Sequence, residues 1–331
     1  MRAFHNIDQM WRRMLHDVLD HGTYIDSRVA PCKEIIGWSG ALLDPMMNVL
    51  VDQKRRISIA YAAAEVLWYL AGENDITRLV SYAPQYKNFA DGKVAYGAYG
   101  ARWFANPGWV RSAPVSHEGM SQLSGVIEAL KRHPTSRQAV ITMWDSSDLH
   151  RAIELDCKDL PCTLSMQFLL REEQLHCVVN MRSNDVWLGT PYDIFAFTCV
   201  QRIVADELGV RVGSYTHSVG SLHVYSKHVV QARAIIGKST AMVGYDSPTY
   251  AAPSLLNQVP LACQIETAMR TGKALPKMCG INEGSLFADL ISTLGLHHRP
   301  MRGQAAGIRH EGIRLLTERN IERCALASKN T

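Results

Sequence analysis

The chain has 331 residues, 47% of them hydrophobic and 20% charged, with a formal net charge of +4. That length holds one large domain or two modest ones, the composition excludes a disordered chain, and so mild a positive charge does not demand nucleic acid, although it suits an anionic small substrate. No apolar run reaches membrane-spanning length. The opening residues Met1-Arg2-Ala3-Phe4-His5-Asn6 carry no apolar signal segment ahead of Asp8 and Arg12, so export is not expected and the chain reads as cytoplasmic.

The eight cysteines are Cys32, Cys157, Cys162, Cys177, Cys199, Cys263, Cys279 and Cys324. None forms a C-x-x-C pair, and no short Cys/His cluster has zinc-ligand spacing, so no metal is expected. In a cytosolic chain most of them read as buried thiols; Cys162 is set apart by its neighbours.

In chain order, apolar Phe4, Ile7, Met10, Trp11, Met14, Leu15 and Val18 predict a helix over 4–22. Residues 24–48 read as loop and strand. Arg28, in a short polar turn there, is either a solvated side chain or a flexible phosphate ligand. Residues 58–71 form a helix that is apolar almost all round, hence buried. Glu65 in its middle is costly unless it is paired with an arginine or used as a general acid or base. Residues 82–103 are aromatic and loop-like, and 107–118 read as loop. A helix follows over 121–132, then Ser136-Arg137-Gln138 and a strand over 139–144. Residues 145–158 read as a polar connection.

Two strands, 163–170 and 174–181, joined by Arg171-Glu172-Glu173, predict a hairpin. A long apolar helix over 191–208 starts with proline, a favoured place for it. A strand over 210–219 and a helix over 226–236 follow. Antiparallel strands mixed with long buried helices imply an α+β fold with helices packed on a sheet. Beyond residue 238 the pattern weakens: a proline-containing loop over 244–260, helices near 262–270 and 284–294, and a basic amphipathic helix over 312–327. His297-His298 reads as surface. The division is therefore a catalytic domain over 1–240 and a C-terminal helical extension of unknown role over 241–331.

The chemistry concentrates between Leu160 and Tyr225. A lone Cys162 precedes an alternating run, and a cysteine nucleophile needs cationic or dipolar neighbours to lower its pKa. Arg182 can supply that charge, or bind a phosphate. The polar run Ser183-Asn184-Asp185 precedes the 191–208 helix, whose N-terminus favours an anion or a polar ring edge. Asp193 in the first turn is placed to hydrogen-bond there; on spacing alone it reads rather as a helix cap.

Several separated motifs in order resemble the thymidylate synthase family over roughly residues 26–231. They are Glu65-Val66-Leu67-Trp68-Tyr69-Leu70, Tyr96-Gly97, Ser136-Arg137, Leu160-Pro161-Cys162, the run from Arg182 through Gly189 to Pro191, and His223-x-Tyr225-Ser226-x-His228. The resemblance implies a three-layer α/β architecture with a large mixed sheet flanked by helices, in a homodimer whose sheets pack back to back. It implies that Cys162 attacks C6 of a pyrimidine and that Arg28, Arg182 and Ser183 hold the phosphate, together with Arg137 reaching from the partner subunit. His223 and Tyr225 would bind the sugar hydroxyl, and Glu65 would move protons near C4 and C5. Asp185, with Trp68 and Gly189, would face a folate, the one-carbon donor being 5,10-methylenetetrahydrofolate.

The chain also departs from the synthase pattern. Asp193 stands where uracil-specific members carry asparagine. An aspartate can accept from the cytosine N4 amine and share a proton with N3. Thr163 follows the cysteine where histidine is common, no tryptophan lies between Tyr69 and Arg102, and Gln138 replaces a frequent second arginine. These features resemble the phage deoxycytidylate hydroxymethylases, in which water rather than hydride completes the reaction and the product serves DNA modification, in the host cytoplasm. The resemblance therefore points to dCMP, with dUMP or CMP as alternative substrates. A non-catalytic nucleotide- or RNA-binding protein would not need the set Glu65, Cys162, Arg182 and Asp193.

Overall fold

The computed structural model describes residues 2–90, 92–104, 121–157, 159–236, 244–276, 280–300 and 303–327. Among these residues seven strands form one mixed sheet: β1 (Arg2–Phe4), β2 (Thr23–Asp26), β3 (Pro31–Leu42), β4 (Val140–Thr142), β5 (Thr163–Arg171), β6 (Gln174–Asp185) and β7 (Arg211–Tyr225). The order is β1-β3-β7-β6-β5-β4, with β2 on β3. The β1–β3 and β6–β7 pairs are parallel and the rest antiparallel. This is the expected α+β class, a large mixed sheet flanked by helices. The β5–β6 turn places Glu172 and Glu173 at φ 49° and 57°, the left-handed pair that a two-residue hairpin turn requires.

The helices are α1 (Ile7–His21), α2 (Ile59–Leu70), α3 (Thr77–Tyr82), α4 (Tyr99–Phe104), α5 (Gln122–Arg132), α6 (Ser146–Glu154), α7 (Thr190–Leu208), α8 (Val229–Ile236), α9 (Val259–Thr271), α10 (Leu286–His298) and α11 (Glu311–Ala327). α1 and α7 lie on the sheet, α2 lies on α7, and α9, α10 and α11 lie on α2. All of α2 is buried, as its apolar circumference requires. Its first turn is capped by Ser58 Oγ, which accepts from the Tyr61 amide at 3.2 Å. Buried residues of α9, α10 and α11, among them Ile265, Leu290 and Ile313, thus share the hydrophobic core of α2. Along β7, Gly213, Tyr215, His217 and Val219 turn into that core, while Val212, Ser214, Thr216 and Ser218 on the opposite face are half-buried. Among the described residues no helix is long and apolar enough to cross a membrane.

Three local expectations change. The polar stretch 145–158 contains α6, nucleated by a capping box between Asp145 and Asp148; its largely polar composition hides a strong start signal. The aromatic stretch 82–103 contains the start of α4 and a 3-10 turn over Pro84–Asn88. His298 is not a free surface residue, because its Nε2 lies 2.9 Å from Tyr82 Oη. The loop expected over 107–118 and Cys279 lie outside the described residues.

Candidate active site

Cys162 lies just ahead of β5, and Arg182 lies near the end of β6; Arg182 N donates to Cys162 O at 2.8 Å. The Arg182 side chain folds back over the same segment. Its Nε donates to Pro161 O at 2.9 Å, its Nη2 lies 3.3 Å from Leu160 O and 3.7 Å from Cys162 Sγ, and its guanidinium stacks over Trp144. Gly97 permits this loop to sit where it does: a Cβ there would stand 3.0 Å from Leu160 C and 3.1 Å from Pro161 N. Burial pushes the Cys162 thiol above the usual range, Arg182 opposes that rise, and Asp193 and Asp159 add to it.

Arg28 comes to the same segment from the β2–β3 turn. Its Nη1 lies 3.2 Å from Asp156 Oδ1 and 3.5 Å from Cys157 O. Two of the three phosphate ligands expected on this chain, Arg28 and Arg182, therefore both contact the segment leading to Cys162. Ser183, next to Arg182 on β6, pairs with Ser221 of β7 in the sheet. Arg137 lies exposed beside the edge strand β4, and its carbonyl accepts from Gln167 Nε2 at 2.8 Å. Among the described residues no hydrogen bond joins its guanidinium to the Cys162 neighbourhood.

Glu65 is 6% exposed, and Tyr61 Oη donates to its Oε1 at 2.6 Å. Burial pushes its carboxyl up to about 8; the hydrogen bond from Tyr61 opposes the rise and the charge of Asp193 adds to it. Among the described residues no arginine pairs with Glu65; Tyr61 donates to it instead. Asp193, on the first turn of α7, does not cap that helix, which has no side-chain cap. Its Oδ2 instead accepts from Asn184 Nδ2 at 2.7 Å. Burial pushes Asp193 up to about 7, with Asn184 opposing and Asp185 adding.

His223 and Tyr225 end β7 with their rings edge to face at 5.0 Å. The β3–β7 register sets Tyr225 opposite Cys32, and the β6–β7 register sets His223 opposite Asp185. Asp185 Oδ1 accepts from Trp187 N at 2.8 Å, while Oδ2 is buried with no hydrogen-bond partner among the described residues. Burial raises this carboxyl and His223 opposes the rise. A buried carboxylate oxygen without a donor is suited to an N–H from a ligand. Gly189 leaves room for the Asn184–Asp193 contact, since a Cβ would stand 3.1 Å from Asp193 Oδ2 and 3.2 Å from Asn184 Nδ2.

Trp68 is 1% exposed and its indole N–H donates to Asp75 O at 2.8 Å. It presents no open ring face to a folate; it buttresses Tyr86, whose ring meets it edge on. The region without tryptophan, between Tyr69 and Arg102, holds Tyr82, Tyr86, Phe89, Tyr96 and Tyr99. Tyr86 lies within electrostatic reach of Glu65, Asp159 and Asp193. Residues that the sequence reading did not single out are thus Tyr61, Tyr86 and Asn184. The first was marked by its i, i+4 spacing from Glu65; the third lay inside the motif itself. Among the described residues one group, His16, Asp17 and His21 on α1, brings three possible metal-ligand atoms within 4.8 Å, but Asp17 already accepts from Trp38 Nε1 at 3.0 Å and pairs with Arg13.

A cysteine beside an arginine, a buried neutral acid and a second acid with an elevated pKa can together add a thiol across a ring double bond and shuttle protons to it. A protein-family model described as Thymidylate synthase matches residues 9–245.

Proposed function

The chain belongs to the thymidylate synthase family, and on that premise we propose that it is a 5-hydroxymethylase of dCMP. Family membership implies folate-dependent one-carbon transfer to a pyrimidine nucleotide. The observation that carries the finer reading is Asp193, a carboxyl group where uracil-specific members have an amide, held by Asn184 with a pKa near 7. Such a group presents both a donor and an acceptor near neutral pH, which matches the N3 and N4 edge of cytosine.

In this reading Arg28, Arg182 and Ser183 hold the phosphate, with Arg137 reaching across from the partner in a homodimer formed through the half-buried sheet face. His223 and Tyr225 take the sugar hydroxyl. Asp185 offers its unpartnered Oδ2 to the folate, Gly189 keeps the turn beside it compact, and Trp68 supports the wall from within the core. Bound 5,10-methylenetetrahydrofolate supplies a one-carbon unit at the oxidation level of formaldehyde. Cys162 adds to C6 as a thiolate, and the electron pair of the C5–C6 bond becomes the nucleophile at C5. Once C5 carries the new carbon, its proton leaves to a base, the bond from that carbon to the folate nitrogen breaks and tetrahydrofolate departs with the electron pair, leaving an exocyclic methylene on C5; in this reading Glu65 manages the protons of these steps. Water then supplies OH to the exocyclic methylene and Cys162 departs, so the sum is dCMP plus methylenetetrahydrofolate plus water giving 5-hydroxymethyl-dCMP plus tetrahydrofolate. In this reading Tyr86, within electrostatic reach of Glu65 and Asp193, stands in the region without tryptophan in place of an indole, and its hydroxyl favours a wet site over a hydride-transfer site.

The test is to incubate the protein with methylenetetrahydrofolate and dCMP, dUMP or CMP and weigh the nucleotide product. Hydroxymethyl-dCMP supports the proposal. A methylated nucleotide would replace water with hydride, and turnover of dUMP or CMP in preference to dCMP would replace the substrate. Cys162→Ser is expected to abolish turnover in every case.

A further inference from the structure

Asn184 lies between the phosphate-binding pair Arg182-Ser183 and the folate-facing Asp185, and it is 4% exposed. Its amide is held on both sides. Nδ2 is 2.7 Å from Asp193 Oδ2; Oδ1 is 2.5 Å from Thr190 Oγ1 and 3.1 Å from His217 Nε2. His217 Nδ1 is in turn 2.9 Å from Tyr215 Oη. Tyr215 and His217 are fully buried on β7.

The proton positions along this chain follow from its far end. Burial keeps the Tyr215 hydroxyl protonated and holds His217 neutral, its pKa down at about 3. The buried Tyr215 O–H needs an acceptor, and among the described residues His217 Nδ1 is the one within reach. The single imidazole proton is then on Nε2. The Asn184 atom facing Nε2 must be the carbonyl oxygen, which also accepts from Thr190. The amide N–H therefore points at Asp193 Oδ2. In the flipped arrangement the Tyr215 proton loses its acceptor.

We propose that Asn184, locked by His217 and Thr190, fixes Asp193 Oδ2 as an acceptor, so that any carboxyl proton resides on Oδ1 and the acid reads one polarity of base edge, that of cytosine. This rests on the reading above in which Asp193 meets the base. Oδ1–H then donates to N3, and the second lone pair of Oδ2 accepts from the N4 amine. Uracil presents N3–H and O4. It would require the proton on Oδ2, where the Asn184 N–H already points. Selection against uracil is thus built into Asn184, His217 and Tyr215 as positioning residues, behind the acid that touches the base. The ionisable groups around Asp193 are Asp185 from the end of β6, Glu65 and Tyr69 from α2, Tyr86, Tyr99 from α4, Cys162, and Tyr215 from β7. None of them donates to Oδ2 in place of Asn184 among the described hydrogen bonds.

The experiment compares kcat/KM for dCMP and dUMP in the parent, Asn184→Ala, Tyr215→Phe and Asp193→Asn. Asn184→Ala is expected to lower the dCMP/dUMP ratio by about tenfold or more, the scale of a mispaired polar group in a desolvated site. Tyr215→Phe, which frees the imidazole tautomer without touching the site, is expected to lower it several-fold. If the two rates fall in proportion in both variants, Asn184 is only structural and the proposal is overturned. Asp193→Asn separates this from failure of the underlying reading. If that variant inverts the ratio while Asn184→Ala leaves it fixed, only the positioning role fails; if it too leaves the ratio fixed, the base reading fails and this inference with it. Nitrogen NMR of His217 in the unaltered protein gives an answer independent of folding of the variants. A neutral ring protonated on Nε2 from pH 5 to 8 is expected, and a proton on Nδ1 would overturn the proposal.

Discussion

Tyr61 Oη stands 2.6 Å from Glu65 Oε1, one turn earlier on the same buried helix. The phenol stabilises the carboxylate by a charge-assisted contact, yet burial outweighs it and leaves the acid neutral at pH 7. A carboxyl group kept protonated in the core is ready to donate, and its cost is carried by α2 and the helices packed around it.

That cost has a sign. The folded pKa of Glu65 is raised from 4.5 to about 8, so the unfolded chain ionises first as pH rises and folding stability falls between those two values. Glu65→Gln removes this penalty. The variant is expected to be more stable than the parent at pH 8, by up to several kcal/mol, with the gap closing near pH 5. Turnover is expected to fall by about 10²- to 10⁴-fold, the usual worth of a positioned proton donor. Thermal unfolding at the two pH values, with kcat alongside, checks both; a stability gap independent of pH would contradict a neutral buried acid.

Gly97 touches the backbone of Leu160 and Pro161 with no room for a methyl group. Gly97→Ala must push the Cys162 loop away from Arg182 and from the acids. Because displacement of about 1 Å can cost roughly 10²-fold in rate, kcat is expected to fall on that scale while the unfolding midpoint changes little. The rate of iodoacetamide alkylation at Cys162 should change with it. Unaltered kcat in a folded variant would show that the loop yields freely.

Glu266 on α9 is fully buried and accepts from Arg78 Nη1 at 2.5 Å, Arg270 Nε at 2.7 Å and Tyr82 Oη at 3.0 Å. It ties α3 to the C-terminal helices. Glu266→Ala leaves Arg78, 3% exposed, without one of its two carboxylate partners, the other being Glu73. Stability is expected to fall by about 3–5 kcal/mol, as for other broken buried pairs. Denaturant unfolding measures it, and a loss under 1 kcal/mol would mean that Glu73 alone suffices.

The elements legible in the sequence were those whose signal is local. An apolar circumference marked α2, period-two alternation marked β5 and β6, and proline at its start marked α7, because side-chain periodicity is set within a few residues. The motif residues were legible for the same reason: Cys162, Arg182, Asp185 and Asp193 stand at fixed spacings along one stretch. Partner choice was not legible. Spacing made Asp193 a helix cap, and the fold turned it onto Asn184; Trp68 stood in a motif, and the fold sealed it in the core. Arg28 meets Asp156 across 128 positions of sequence, and Tyr82 meets His298 across 216. Such contacts depend on how β3, β6 and β7 align and on the covering of α2 by α9 and α10, which no window of sequence contains. The shifted pKa values of Glu65 and Asp193 belong to the same class. The sequence by itself determined which acids are present; desolvation by distant segments decided how tightly each holds its proton.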